Sequence, residues 1–199
     1  MDGSIRTDND SGELMMKKQE TIALFHSMHP GFFEREYIRN IAEDSWTFDE
    51  MILRLNEFEP NRYEKEFDAS ITFGFYEGSR EELLKMVEQV DTDWVAYFGE
   101  SDRVFCGYLK GKAVSFCLIE DMGIHNIDGR MCKIGGPGCV GTLPDYRDRG
   151  IGLMMVKKAT QILKDEGYDY SYIHYTHIAK WYAKLGYETI LQWTKKGIL

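Results

Sequence analysis

The sequence predicts an α/β domain built on a mixed sheet. Three observations lead there. From Ala69 onward the apolar pattern switches repeatedly between alternation and helical spacing. Two strand-like runs meet at Lys110–Lys112 as an antiparallel hairpin, which excludes a simple doubly wound sheet. A glycine-dense run, MCKIGGPGCVGTL, then leads into an amphipathic helix.

Taken in order, residues 1–11 read as a disordered polar tail. Residues 12–68 read as a helical extension. Its helices are expected over Glu13–Ser27, over Phe32–Ala42, and from a cap at Thr47 or Asp49 through Met51, Ile52, Leu55 and Phe58 to Pro60. The main domain, 69–199, opens with the alternating strand ITFGFYE. Ser79 is an N-cap with Glu82 at N3, and that helix runs to Val90. A short helix at Trp94–Phe98 precedes the hairpin RVFCGYLKG and KAVSFCLIE, and DMGIHNIDGR reads as a turn-rich link.

Gly135, Gly136, Gly138, Gly141 and Pro137 oppose strand propensity in the next strand. Such density suggests a bulge, or a surface that backbone or ligand approaches closely. A helix over Ile151–Glu166 stops at Gly167, its C′ glycine. YDYSYIHYTH is a strand, IAKWYAKL a helix closed by Gly186, and YETILQW a last strand.

Composition limits the function. The 199 residues suit one domain with an elaboration, and 43% apolar with 29% charged residues marks a globular protein. A net charge of −9 disfavours nucleic acid and anionic membrane as partners and favours cationic ones. The four cysteines show no metal-ligand spacing, so no metal is expected. The polar start resembles no targeting signal, and no apolar run reaches the ~20 residues that span a bilayer. Cytoplasmic location is the default.

Gly150 and Gly152 open the helix whose apolar stripe is Leu153, Val156, Thr160 and Leu163. First-turn N–H groups have no helical partner, and without side chains in the way an anion can reach them. Arg147 and Arg149 add positive charge beside that spot. The stretch is not a six-residue dinucleotide fingerprint, nor a P-loop.

Arg147-Asp148-Arg149-Gly150-Ile151-Gly152 resembles the Q/R-x-x-G-x-G/A signature of the GCN5-related N-acetyltransferases. Thr142-Leu143-Pro144-Asp145-Tyr146 is similar to that family's V-x-P-x-Y strand end, and Trp181–Tyr187 resembles its F/L-Y-x-x-x-G-F segment. The resemblance covers Ala69–Leu199 and implies the acyl-CoA N-acyltransferase fold, a mostly antiparallel sheet with splayed central strands and flanking helices.

It further implies that backbone N–H groups of Arg147, Asp148, Arg149, Gly150, Ile151, Gly152 and Leu153 hold the pyrophosphate of acetyl-CoA. Leu143 and Tyr175 would stand near the coenzyme arm, Tyr175 where many relatives carry Asn. The Thr142 amide would polarise the acyl carbonyl, and Tyr182 would protonate the departing thiolate. For the general base, Glu120, Asp121, His174, His177 and a relayed water remain open.

The acceptor is expected over Glu81–Trp94, roofed by the N-terminal helices. The acids Glu34, Glu36, Glu43, Asp44, Glu57, Glu59, Glu64 and Glu66 suit a small cationic amine, and Phe32, Phe33, Tyr37, Trp46 and Phe73 could line its pocket. A protein or peptide acceptor and a non-catalytic acyl-CoA-binding domain are the alternatives. Cys139 is expected to be structural, and a homodimer through an edge strand at Tyr187–Trp193 is open.

Overall fold

The computed structural model describes residues 18–67 and 69–199. One sheet holds eight strands: β1 Phe48–Arg54, β2 Ile71–Phe75, β3 Val104–Leu109, β4 Lys112–Ile127, β5 Arg130–Thr142, β6 Tyr170–Thr176, β7 Glu188–Thr194 and β8 Gly197–Ile198. Their order across the sheet is β2-β3-β4-β5-β6-β1-β7-β8. Every neighbouring pair is antiparallel except β5 and β6, so the mixed, mostly antiparallel sheet is as expected.

The helices are α1 Lys18–Met28, α2 Glu36–Arg39, α3 Arg80–Glu88, α4 Ile151–Asp165 and α5 Ala179–Tyr182. On one face α4 and α5 pack through Leu153, Val156 and Tyr182 onto Cys117, Ile119 and Ile173. On the other, α3 covers Phe116 and Leu118, and α1 covers Tyr170 and Tyr172. Ser79 caps α3 as expected, its Oγ accepting from the Glu82 N–H at 3.3 Å.

Three expectations are corrected. Residues from Thr47 do not form a helix: β1 lies between β6 and β7, in the interior of the sheet. A strand buried on both faces reads as an unbroken apolar run, and Met51, Ile52, Leu55 and Phe58 also fit helical spacing. The sheet thus crosses the boundary expected at Ala69. Phe32–Ala42 is broken into a 3₁₀ turn, Phe32–Glu34, and α2, because Arg35 between them is extended (φ −66°, ψ 137°).

The link expected at 121–130 is mostly strand. β4 continues to Ile127, and Asp128 and Gly129 alone make the turn with φ of 52° and 77°. β7 is not a free edge along its whole length, since β8 pairs with Trp193 and Thr194. The expected tail and the start of the first helix lie outside the described residues. No described helix is long and apolar enough to cross a membrane.

Candidate active site

β5 and β6 run parallel for only two pairs, Ile134↔Tyr170 and Gly135↔Ser171. Beyond them the ladder stops, and the ends of the two strands are not paired with each other; this break between β5 and β6 is the slot. The glycines of β5 let other groups fill its missing side chains. A methyl on Gly136 would collide with the Tyr172 carbonyl, and one on Gly138 with the Glu120 carboxylate. Pro137 lacks an N–H and sits within this run, where a regular ladder would need one.

Below the slot, Pro144–Tyr146 forms a 3₁₀ turn and Gly150 caps α4 in the left-handed region (φ 78°) with no side chain to accept from the first turn. The helical ladder starts at the Met154 N–H to Gly150 O bond, 3.1 Å. The N–H groups of Ile151, Gly152 and Leu153 therefore have no intrahelical acceptor. Gly152 has no side chain and those of Ile151 and Leu153 are packed into the core, so a ligand at this turn would meet backbone.

Arg147 Nε donates to Thr142 O (3.1 Å), and Arg149 donates to Asp145 O (3.0 Å) while lying over the Tyr146 ring. Each arginine anchors the loop and keeps further donors free for an anion. Lys65 adds to them: a methyl on Gly150 would lie 2.5 Å from its Cδ and 2.9 Å from its Nζ. The second glycine serves packing, since a methyl on Gly152 would lie 2.8 Å from Thr142 Oγ1.

The Leu143 N–H donates to Val114 O at 2.9 Å, toward β4. Strand alternation then turns the Thr142 N–H toward the slot. The Thr142 hydroxyl is bonded to Ser115 Oγ at 2.9 Å and is not free for chemistry. Leu143, expected at the coenzyme, is a core residue beside α3. Tyr182 is buried on the α4 face; burial, then Tyr187, Cys117 and Cys139, push its phenol well above the usual value, so it stays protonated.

The slot's other face is lined by different chemistry. Glu120 keeps a path to water although protein surrounds it, and burial raises its pKa, with Asp102 reinforcing and His174 opposing. Burial, then Glu120, Asp91 and Asp102, push Cys139 up to about 12, which leaves a thiol with no nucleophilic character. His174 Nδ1 lies 2.9 Å from Oε2 of the wholly buried Glu50. His177 is exposed in the turn before α5 and forms no hydrogen bond among the described residues.

Tyr175, expected near the coenzyme arm, lies among aromatic side chains. Its φ of 54° turns it into a cluster with Phe48 (4.6 Å), Trp193 (4.9 Å) and Tyr37 (6.4 Å), on the α1 side and away from α4. Of the aromatics expected at the acceptor pocket, Tyr37 belongs to this cluster and lies near Tyr97. Phe32 and Phe33 form the packing behind it, Trp46 is exposed, and Phe73 packs on the α4 face. Several expected acids serve elsewhere: Asp44 pairs with Lys195 and Lys196, and Glu57 with Arg54.

The sequence model of the acetyltransferase (GNAT) domain matches residues 74–190, more than half of the chain. This chain belongs to the GNAT family. A fungal structure containing a GCN5-related glucosamine N-acetyltransferase region superposes with a TM-score of 0.61 at 20% identity, over 76% of this chain and 20% of that one. A GCN5-related N-acetyltransferase from Kribbella flavida gives 0.51 at 19%, over 74% and 56%, and one from Sphaerobacter thermophilus 0.51 at 16%, over 74% and 50%. This chain thus spans a fifth to about half of these chains' lengths, and at such identities the likeness is one of fold. No curated protein matches the sequence.

The GNAT match begins at Gly74, so Glu50, Tyr63 and Lys65 all lie outside it. None of the three was singled out from sequence. Glu50 is separated from His174 by 124 residues and lies in the segment read as helix. An acidic residue flanked by buried apolar ones, FDEMIL, was the available signal for a carboxylate with an interior role.

Proposed function

We propose that this GNAT protein transfers the acetyl group of acetyl-CoA to the primary amine of a small cationic molecule. The observation that supports it best is the junction of three parts. The glycine-capped start of α4 packs against Thr142 at the end of β5, and the Thr142 N–H is turned away from β4. Tyr182 lies on the α4 face near Cys139 of β5. The free first-turn N–H groups, with Arg147, Arg149 and Lys65, fit a pyrophosphate in charge and donor type. Bound there, acetyl-CoA supplies an activated thioester.

Each protein group then has a distinct task. The Thr142 N–H stabilises negative charge on the acyl oxygen. Tyr182, held protonated, gives its proton to the departing sulfur. The Glu120 carboxylate, with Asp91 and Asp102 nearby, draws an ammonium to the opposite mouth, where Tyr37 and Tyr97 offer ring faces. These acids, rather than those of 34–66, favour the cationic acceptor.

The test is calorimetric titration with acetyl-CoA, desulfo-CoA and ATP, followed by thiol release with a panel of polyamines, amino sugars, aminoglycosides and lysine peptides. Micromolar binding of both coenzyme forms, ATP much weaker, and turnover of a small amine are expected. Tyr182→Phe should lower kcat roughly 100-fold with coenzyme affinity kept. Unchanged turnover in that variant would remove Tyr182 from the mechanism, and turnover of peptides alone would replace the small acceptor.

A further inference from the structure

Glu50 is a fully buried carboxylate contributed by β1, and the donors it meets come from the two strands that flank β1, β6 and β7. Trp193 Nε1 donates to Oε1 at 2.7 Å and the Tyr175 N–H to the same oxygen at 3.2 Å. His174 Nδ1 stands 3.0 and 2.9 Å from the two oxygens. Facing a carboxylate, which only accepts, Nδ1 of His174 is the nitrogen placed to donate, and in the neutral ring the lone pair then falls on Nε2.

His29, Glu50 and His174 also lie close enough together to suggest a metal site. Ring geometry opposes it. The two imidazoles are stacked, centroids 3.8 Å apart and planes 16° apart. Lone pairs lie in the ring planes, and two nearly parallel planes do not direct them at one ion. The stack instead fixes the tilt of His174, and Phe32 closes its edge at 5.1 Å.

With Nδ1 against a wholly buried Glu50 and the His174 side chain 24% exposed, the open edge of the ring is the Nε2 edge. Titratable and charged groups face the ring from every side: Glu50 from β1, His29 from the bend after α1, Glu120 from β4, and Tyr175 next to it on β6. Arg35 and His125 act on His29, whose own pKa is low, so His29 adds no charge near neutral pH.

We propose that His174 is the catalytic base that takes the acceptor amine's proton, and that Glu50 is the positioning residue that fixes its tautomer and orientation. This rests on the acetyl-transfer reading and completes its proton balance. The new C–N bond forms as the thioester C–S bond breaks. The ammonium gives one proton to Nε2 of His174, which passes it to solvent. The neutral amine then attacks, the surplus proton of the strongly acidic N-protonated adduct passes to Nε2 in turn, and the Tyr182 proton goes to the sulfur. Glu50 and Glu120 flank the imidazolium that results, and solvent returns both groups to their starting states.

Two measurements test it. Long-range ¹H–¹⁵N spectra of the histidine-labelled protein, free of substrate, should show His174 with its proton on Nδ1. A proton on Nε2 overturns the proposal whether or not the protein is an acetyltransferase. In thiol-release assays His174→Gln should lower kcat/KM roughly 100-fold or more near neutral pH. The deficit should shrink as pH approaches the pKa of the amine, because a neutral amine needs no base.

Glu50→Gln, whose amide can both donate and accept at Nδ1, should move part of His174 to the Nε2-protonated form in the same ¹H–¹⁵N spectra with coenzyme affinity unchanged. If that buried variant fails to fold, the wild-type spectra and the more exposed His174→Gln still decide. A deficit independent of pH, or less than twofold, overturns the base. Absence of acetyl-CoA binding by the wild type overturns the reading beneath it, and the tautomer measurement stands apart from that result.

Discussion

His29 is a buried imidazole whose Nε2 has no hydrogen-bond partner and whose ring lies on His174. Burial, then the charges of His174, Arg35 and His125, push its pKa down to about 3 from 6.5. The sign follows from proton counts. Between those values the unfolded chain binds the proton and the folded one does not, so stability falls as pH falls. The expected loss is about 1.4 kcal/mol per pH unit within that window. Glu120, raised rather than lowered, acts with the opposite sign, so the useful comparison is between variants. His29→Phe keeps the ring packing and removes the titration. Urea midpoints at pH 6.5 and 4.5 should differ less in this variant than in the wild type, and an equal difference would assign the pH dependence to other groups.

At the scale of the element, β5 shows what its glycines are for, and they are not interchangeable. Gly136 admits the Tyr172 backbone, a neighbour that cannot rotate away, whereas Gly138 admits the Glu120 carboxylate, the end of a flexible side chain. Gly136→Ala should therefore cost about 3 kcal/mol of stability by forcing β5 from β6. Gly138→Ala should fold nearly as well and raise KM for the amine with acetyl-CoA affinity kept, because it displaces Glu120. Equal stability losses in urea unfolding would refute the distinction. The strand and its glycine density were legible in sequence, as were the Ser79 cap, the α4 start and the Tyr182 helix, because each depends on neighbours within a few residues. What filled each glycine was not legible. Tyr172, Glu120 and Thr142 meet those positions only through register and the parting of β5 from β6. The aromatic surroundings of Tyr175 were not legible for a related reason, since its left-handed φ reverses the side on which a strand residue is expected.

The whole molecule is closed by a strand from its N-terminal part. β1 pairs with β6 through five residue pairs and with β7 through another five, so β7 and β8 join the sheet only through it. Removing it would leave facing edges of β6 and β7 unpaired and expose the apolar layers carried by Met51, Ile52 and Leu53. It would also strip Trp193 Nε1 and the Tyr175 N–H of their shared acceptor, Glu50, within the fold. A chain begun at Ala69 retains the full span of the family match, 74–190, and both glycine and tyrosine motifs. It should nonetheless unfold without a cooperative transition in urea, and lose acetyl-CoA binding with it. Supplying residues 18–67 as a separate peptide should restore part of the transition, since the missing strand carries its own pairing information on both edges. A cooperative transition at the wild-type midpoint without that peptide would show that β1 only decorates a self-sufficient domain, and Glu50 would then lose its claim to hold the active-site histidine.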